Sequence, residues 1–402
     1  MFKDLTVLEV ANVLAGPAVG MFFAELGARV IKVENPSTGG DTTRHWKLPS
    51  EPADADVSSY FSSVNWGKKS IGVAFNTAAG RQILHDLARK SDILVQSFKA
   101  GDDERFGLDY ETIKAVNPRL IYAQITAYGP HDKRTGFDAI IQAESGFSGM
   151  NGTSESGPIK MPVALIDLLL AHQLKEAILL ALIRRMETGE GSFVTISLMQ
   201  AAVSSLANQA TNYLVGGTVP QRTGSDHPNI VPYGTTFRTR DQHDIVLGIG
   251  TDTQFRALCS VLGMPELAED ERYATNQNRV INKQALNEVI TGTIGRMDKV
   301  ILLRAFAENR VPAGAVHMMD EVFEQPEARS LLLSHDGSGL QGLRTIAFES
   351  SSADTRIALD PPPYFNQDSR DILQNVLGYS EEDIEAMVAA GALDVKDGEK
   401  GA

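Results

Sequence analysis

The residue with the most chemical promise is Asp167, in the stretch PIKMPVALIDLLLAHQLKEAILLALIRRMETGEGSFVTISL over residues 158–198. A carboxylate held among apolar neighbours where loop becomes helix can serve as a nucleophile, with helix N-terminal amides favouring its ionised form. The same placement also suits an N-cap, whose carboxylate accepts an orphan backbone N–H and performs no chemistry. Position alone leaves both readings open. Cys259 lies in the apolar helical run FRALCSVLG and reads as buried filler rather than a nucleophile. The eight histidines are scattered, and His45, His131, His227 and His317 have no partner at i+3 or i+4, so no metal site is expected.

The elements that must position Asp167 read clearly. Leu170, Leu174, Ile178, Leu179 and Leu182 recur at helical spacing, with Lys175, Arg184, Arg185 and Glu187 at other positions. A Thr188-Gly189-Glu190-Gly191 break then leads into an alternating strand, Phe193–Leu198. Upstream, Thr6–Val10 reads as a strand, followed by a turn and helix from Asn12 that ends near Leu26, Gly27 as C-cap, and a second strand, Arg29–Val33. The acid that closes it, Glu34, is where a dinucleotide fold holds a ribose, but the turn carries Gly16-Pro17 and no G-x-G-x-x-G. Alternation continues through Ser70–Phe75, a helix over Ala78–Lys90, Asp92–Val95, a helix near Tyr110–Val116 and Leu120–Ile125. This argues for a mostly parallel sheet covered by helices, with ligands at the carboxyl ends of the strands. Asn12, Lys68, Lys69, Ser97, Phe98, Arg105 and Tyr128 fall at such ends or turns, though each alone reads as a solvated loop residue.

Met199–Val215 reads as one helix, after which composition shifts. Residues 216–233 are rich in Pro and Gly and read as a linker. Beyond them lie strands Thr235–Arg238 and Ile245–Ile249, helices around Thr253–Leu262, Lys283–Thr293 and Asp298–Asn309, then Ala313–His317. A second irregular crossing covers 325–363, and the chain closes on two helices, the second opened by the capping-box spacing Ser380 to Asp383. The expected division is therefore 1–215 for a large domain, 216–233 linker, 234–324 a smaller α/β domain, 325–363 linker, and 364–402 helices returning to the large domain.

At 402 residues and 43% hydrophobic content the chain can bury two cores. A net charge of −14 argues against a nucleic-acid surface, so an anionic ligand must meet local positive groups. No apolar run reaches the ~18 residues of a membrane span, and MFKDLTVLEV lacks the features of a signal peptide. One cysteine cannot form an internal disulfide, which fits a reducing cytoplasm.

Several segments, in order and spacing, carry a resemblance over nearly the whole chain. They are VLEVANVLAGPAVGMFFAELGARVIKVENP with GGDTTRHW, YFSSVNWGKKSIGV, DILVQSF with GDDERFGLDYETI, NPRLIYAQITAYGP, GFDAIIQAESGFSG, Asp167 with RRMETGEGSFVTISL, VPYGTTF, and IGTDTQFRALCSVLGMPELAEDERYATNQNRVINKQAL. Together they resemble the class III coenzyme A transferases, the group of formyl-CoA transferase, carnitine CoA-transferase and the α-methylacyl-CoA racemases. The resemblance implies a Rossmann-like large domain plus a smaller α/β domain joined by two long linkers, and an interlocked homodimer. It implies acyl-CoA and a carboxylic acid acceptor as substrates, with no metal, nicotinamide or flavin. Asp167 matches the catalytic aspartate, which passes CoA between acids through aspartyl anhydride and aspartyl-CoA thioester intermediates. Asn12, Val13, Leu14, Ala15, Lys68, Ser97, Phe98 and Arg105 match CoA-binding positions, and Tyr128 and Gln142 match positions lining the active site. Asn35 and Thr126 depart from basic residues of formyl-CoA transferase, and its glycine-rich loop has no counterpart, which counts against a formyl/oxalate pair. A small or medium dicarboxylic or hydroxy-acid pair is expected instead. The rival within the group is racemisation by α-proton transfer, for which Phe137 stands where a histidine is needed. A CoA-binding subunit without turnover is a third reading.

Overall fold

A computed structural model of the protein describes residues 1–352 and 354–393. The chain divides into two compact units, one formed by Met1–Ser145, Pro162–Ser205 and the chain from Arg329 onward, the other by Gly146–Met161 and Leu206–Ala328. In the first, six parallel strands form one sheet: β1 Thr6–Val10, β2 Arg29–Glu34, β3 Lys68–Gly72, β4 Ile93–Gln96, β5 Ile121–Thr126 and β6 Ser192–Ser197. Their order is β3-β2-β1-β4-β5-β6. The order reverses direction between β1 and β4, so the loops leaving those two strands open a crevice at the carboxyl edge. Helices on the faces explain why strand interiors are rich in buried apolar residues: Val7, Leu8, Ile31, Ile71, Ile93, Leu94 and Val95 are all fully buried, with Glu9 and Lys32 among the buried charged exceptions.

Three helices bear on the crevice. Helix α1, Ala15–Glu25, follows β1 directly, and its close approach depends on glycine: a Cβ at Gly16 would lie 2.4 Å from the Cβ of Ala11. Helix α2, Asp138–Glu144, precedes α3, Leu165–Thr188, a 24-residue helix. On α3 the buried positions Ile166, Leu170, Ala171, Leu174, Ile178 and Leu182 recur at helical spacing, and this face packs on α1. Each buried Leu or Ile contributes roughly 1.5–3 kcal/mol, which adds to the high intrinsic propensity of a Leu- and Ala-rich sequence. Gly189, at φ 74°, ends it in the left-handed conformation.

The expected single helix over 199–215 is two: Leu198–Ser204 and Ala207–Leu214. The hydroxyls of Ser204 and Ser205 donate to the carbonyl of Ala201 at 3.1 and 2.7 Å, a local alternative to the helical ladder that ends the first piece. The strand expected at 70–75 starts two residues earlier, and the chain leaves the sheet after Gly72, with Val73 and Phe75 still buried.

The second unit carries a three-stranded antiparallel sheet of Tyr233–Arg238, Asp244–Gly248 and Ala313–Ala315, with the central strand between the others. Phe237, Ile245, Leu247, Phe255, Leu258, Leu286, Ile290, Leu302 and Phe306 form its core. Cys259 is buried there, as its apolar surroundings in sequence predict. In the segment 325–363 lies a hairpin, Leu332–His335 with Leu340–Leu343. Near the C-terminus the Ser380 hydroxyl accepts from the amide of Asp383 at 3.1 Å, completing the capping box. Residues 394–402 of the expected returning segment lie outside the described residues.

Candidate active site

The crevice at the strand reversal is a cavity of about 330 Å³, and Asp167 lines it. Asp167 is the third residue of α3, whose N-cap is Ala164, so it does not cap its own helix. Capping falls to a different acid: Asp138 accepts from the amide of Ile166 at 2.8 Å. Its other carboxylate oxygen accepts from Gln142 Nε2 at 2.7 Å. Asp167 itself is 8% exposed, and no cation or hydrogen-bond donor among the described residues offsets its burial. Burial, and secondarily the Asp138 carboxylate, push its carboxyl up to about 7. A carboxylate so placed is ionised over half of its molecules near neutral pH yet weakly solvated, the condition under which it attacks carbonyl carbon.

Of the residues singled out from sequence, Asn12, Val13, Leu14, Ala15, Ser97 and Phe98 line this cavity with Asp167. Asn12, Val13 and Leu14 form the turn between β1 and α1, Ala15 opens α1, and Ser97 and Phe98 follow β4, so both sides of the strand reversal contribute. The Ser97 hydroxyl accepts from the Asn12 amide at 3.4 Å, tying the two loops together. Phe98 packs edge-on to Phe75, with ring centroids 6.0 Å apart.

Four of the residues matched to CoA-binding or active-site positions do not line the cavity. Lys68 is fully buried, and its ammonium donates to Glu9 at 2.7 Å, the carbonyl of Pro17 at 2.8 Å and Asn65 at 2.9 Å. With all three hydrogens engaged inside the protein, it stands as a structural cation away from the cavity where a CoA contact is expected. Arg105 stands exposed, paired with Asp102 at 3.1 Å and lying over the ring of Phe106. Gln142 is buried and serves Asp138, one step behind the catalytic candidate. Tyr128 stacks on the guanidinium of Arg134, 3.7 Å from the ring centroid.

The cavity instead presents cations that sequence reasoning passed over: Lys99 after β4, and Lys133 and Arg134 after β5. Among the described residues neither lysine has an acid partner, whereas Arg134 pairs with Asp132 at 2.8 Å. Their signal in sequence was placement in loops at strand ends, the same one that drew attention to Lys68 and Lys69. Asp138 was also legible, as the acid of Gly136-Phe137-Asp138. Tyr60 was not: burial and then the carboxylates of Asp167, Asp138 and Asp41 raise its phenol, which places it in the same field. No cluster of metal-binding side chains is present among the described residues.

Comparison with known proteins supplies the class. The chain matches CoA-transferase family III over residues 2–369. It is 40% identical over 354 residues to the succinate–glutarate CoA-transferase of Agrobacterium fabrum, covering 85% of this chain and 88% of that protein. It is 34% identical over 404 residues to the succinyl-CoA:glutarate CoA-transferase of Homo sapiens, covering 98% and 90%. A crystal structure of a CAIB/BAIF family protein from Brucella suis superposes with a TM-score of 0.79 at 38% identity, over 93% of this chain and 98% of that one.

Proposed function

The chain belongs to CoA-transferase family III and takes CoA thioesters as substrates, and from that premise we propose that it moves coenzyme A from succinyl-CoA to a dicarboxylic acid acceptor such as glutarate, with Asp167 as nucleophile. The observation that carries the reading is the Asp167 carboxylate, buried without a countercharge in a cavity that also offers unpaired lysines. Its oxygen attacks the thioester carbonyl carbon, the C–S bond breaks, and CoA leaves as thiolate with an aspartyl anhydride behind. The thiolate then attacks the aspartyl carbonyl, releasing the donor acid and leaving an aspartyl-CoA thioester. The acceptor carboxylate repeats the two steps in reverse, so Asp167 ends ionised and no net proton is consumed. Helix amides at the start of α3 favour the charge on the oxyanions that develop.

In this reading Lys99 and Lys133 meet CoA phosphates, since they are the cations of the cavity without a protein partner, and Phe98 and the first-turn residues flank the cofactor. Acceptor identity follows the names of the two curated relatives. Phe137 lines the cavity and brings no acid or base, which favours group transfer over racemisation. A homodimer belongs to the same proposal: Leu180, Ile183 and Met186 on α3 are 68, 57 and 87% exposed, an apolar stripe that a second copy would cover. Light scattering on the purified protein checks it by returning twice the chain mass. A cytoplasmic location, where CoA thioesters are held and a lone cysteine stays reduced, completes the reading.

The direct test is mass spectrometry after exposure to succinyl-CoA, with hydroxylamine trapping. An adduct on the peptide carrying Asp167, absent from Asp167→Ala, is expected, together with a fall in turnover of about 10⁴-fold or more. Turnover retained in the variant would remove Asp167 from the mechanism.

A further inference from the structure

The turn that lines the cavity after β1 is held in a costly conformation. Val13 has φ 71°, in the left-handed region that a β-branched residue rarely occupies. Glycine would adopt it freely, so at Val13 something must hold the backbone there. Two buried side chains do so, one on each side of Asn12. The Lys32 ammonium donates to the carbonyl of Ala11 at 2.9 Å, and the Asp41 carboxylate accepts from the amide of Val13 at 3.3 Å to both oxygens. Lys32 and Asp41 pair with each other at 2.9 Å, and both are wholly excluded from solvent.

The pair is itself fixed from behind. Lys32 also donates to Glu9 at 3.1 Å. The Asp41 amide donates to Glu34 at 2.8 Å, and Glu34 is held by Arg44 at 2.7 and 2.8 Å. Asp41 accepts further from the amide and hydroxyl of Thr43 at 3.0 and 2.9 Å, so its carboxylate has one orientation open to it. Asp41 comes from the loop after β2 and Lys32 from β2 itself, so the device joins the second strand to the turn after the first.

We propose that the buried Lys32–Asp41 pair positions the Asn12–Ala15 turn for acyl-CoA, by clamping the carbonyl of Ala11 and the amide of Val13 and so imposing the left-handed backbone at Val13. Lys32 and Asp41 are positioning residues: neither lines the cavity, while Asn12, Val13, Leu14 and Ala15 do. Held this way, the turn sets the start of α1, whose opening amides have no acceptor within their own helix, beside the cavity that Ala15 and Gly16 line. Freed, Val13 relaxes to negative φ and the turn shifts by the rotation of one peptide plane. The inference rests on the reading of this cavity as the CoA site.

The test compares Asp41→Ala, Val13→Gly and the double variant. Asp41→Ala is expected to raise KM for succinyl-CoA by about tenfold to a hundredfold, from the conformational cost it no longer offsets. In the double variant glycine takes the left-handed conformation without help, so most of that KM is recovered. A role for Asp41 in stability alone gives no such recovery, and its absence overturns the proposal. Should Asp41→Ala fail to fold, Val13→Pro provides a second route. Proline fixes φ near −65° and removes the amide hydrogen that Asp41 accepts, while Lys32 and Asp41 keep each other as partners, and it is expected to raise KM comparably; an unchanged KM overturns the proposal. Calorimetric titration with free coenzyme A separates the two levels of failure. Wild-type protein that binds no CoA brings down the reading of the cavity, whereas wild type, Asp41→Ala and Val13→Pro binding CoA equally brings down the positioning role alone.

Discussion

Around Glu9 and Lys32, three acids and three cations are packed out of solvent with each charge matched: Lys32 to Glu9 and Asp41, Lys68 to Glu9, and Arg44 to Glu34. At the start of α3 two buried acids, Asp167 and Asp138, lie within each other's field with no cation against Asp167. The consequences run in opposite directions. Burial raises the carboxyl of Asp41, but the Lys32 ammonium and the Thr43 hydrogen bonds together outweigh it and hold the group below its ordinary range. Burial raises Asp167 and nothing opposes it, so the group sits at about 7. Both clusters lie near the carboxyl edge of one sheet, and the difference is partnership rather than depth. Matched buried charge fixes shape, and unmatched buried charge is stored reactivity.

Removing one partner from the matched cluster is the severest challenge to this contrast. Lys68→Met leaves Glu9 and Asn65 facing an apolar side chain and is expected to cost about 3–5 kcal/mol of stability, read as a lower denaturant midpoint. The salt dependence of KM for acyl-CoA should stay that of the wild type. A KM effect that grows as ionic strength falls would make Lys68 a phosphate contact after all, and the matched cluster would no longer be purely architectural.

In the unmatched cluster, neutralising the acid should do the reverse. The folded protein holds the Asp167 proton up to about pH 7 while an unfolded chain releases it near 3.8. Wild type therefore loses stability as pH rises through that interval, and Asp167→Asn, which does not titrate, does not. The variant should be inactive yet more stable by on the order of 4 kcal/mol at pH 8, with the gap closing below about pH 4. Equal stability at both pH values would mean that Asp167 is not held as an unmatched charge. Asp138→Asn makes a smaller change of the same kind. Asn keeps an acceptor for the Ile166 amide but removes the second cause of the raised carboxyl, so the acid limb of the rate profile should move down by up to about one pH unit.

How far this contrast could be read from sequence depends on range. The alternation of strand and helix was legible because side-chain periodicity is local, and β1, β2 and the capping box at Ser380 fall where spacing puts them. The single helix over 199–215 was misread because its break comes from two serine hydroxyls turning back on the chain, not from Gly or Pro. The cavity was half legible. Loops following strands drew attention to Asn12, Ser97 and Phe98, but strand order, which makes the loops of β1 and β4 neighbours, is not written in any local pattern. Lys68 shows the limit most sharply: its partner Glu9 is 59 residues away, so nothing near Lys68 distinguishes a saturated lysine from a free one.

Lys99 and Lys133 supply the mildest test, because they are the free lysines of the same comparison. Both are exposed at the cavity, so each attraction to a phosphate is screened by water and ions and amounts to no more than about 1 kcal/mol. Lys99→Ala and Lys133→Ala should each raise KM for acyl-CoA by about twofold to fivefold at low ionic strength, leaving stability unchanged. The effect should shrink as salt is added, because added ions screen the lysine–phosphate attraction in the wild type and leave less for the variant to lose. A phosphate-free thioester, such as an acyl-pantetheine, should be used equally well by wild type and both variants, since it brings no charge for either lysine to meet. Equal losses with both thioesters would place these lysines on the acyl group or the acceptor acid instead, and the division between charge that shapes the site and charge that reads the cofactor would have to be redrawn.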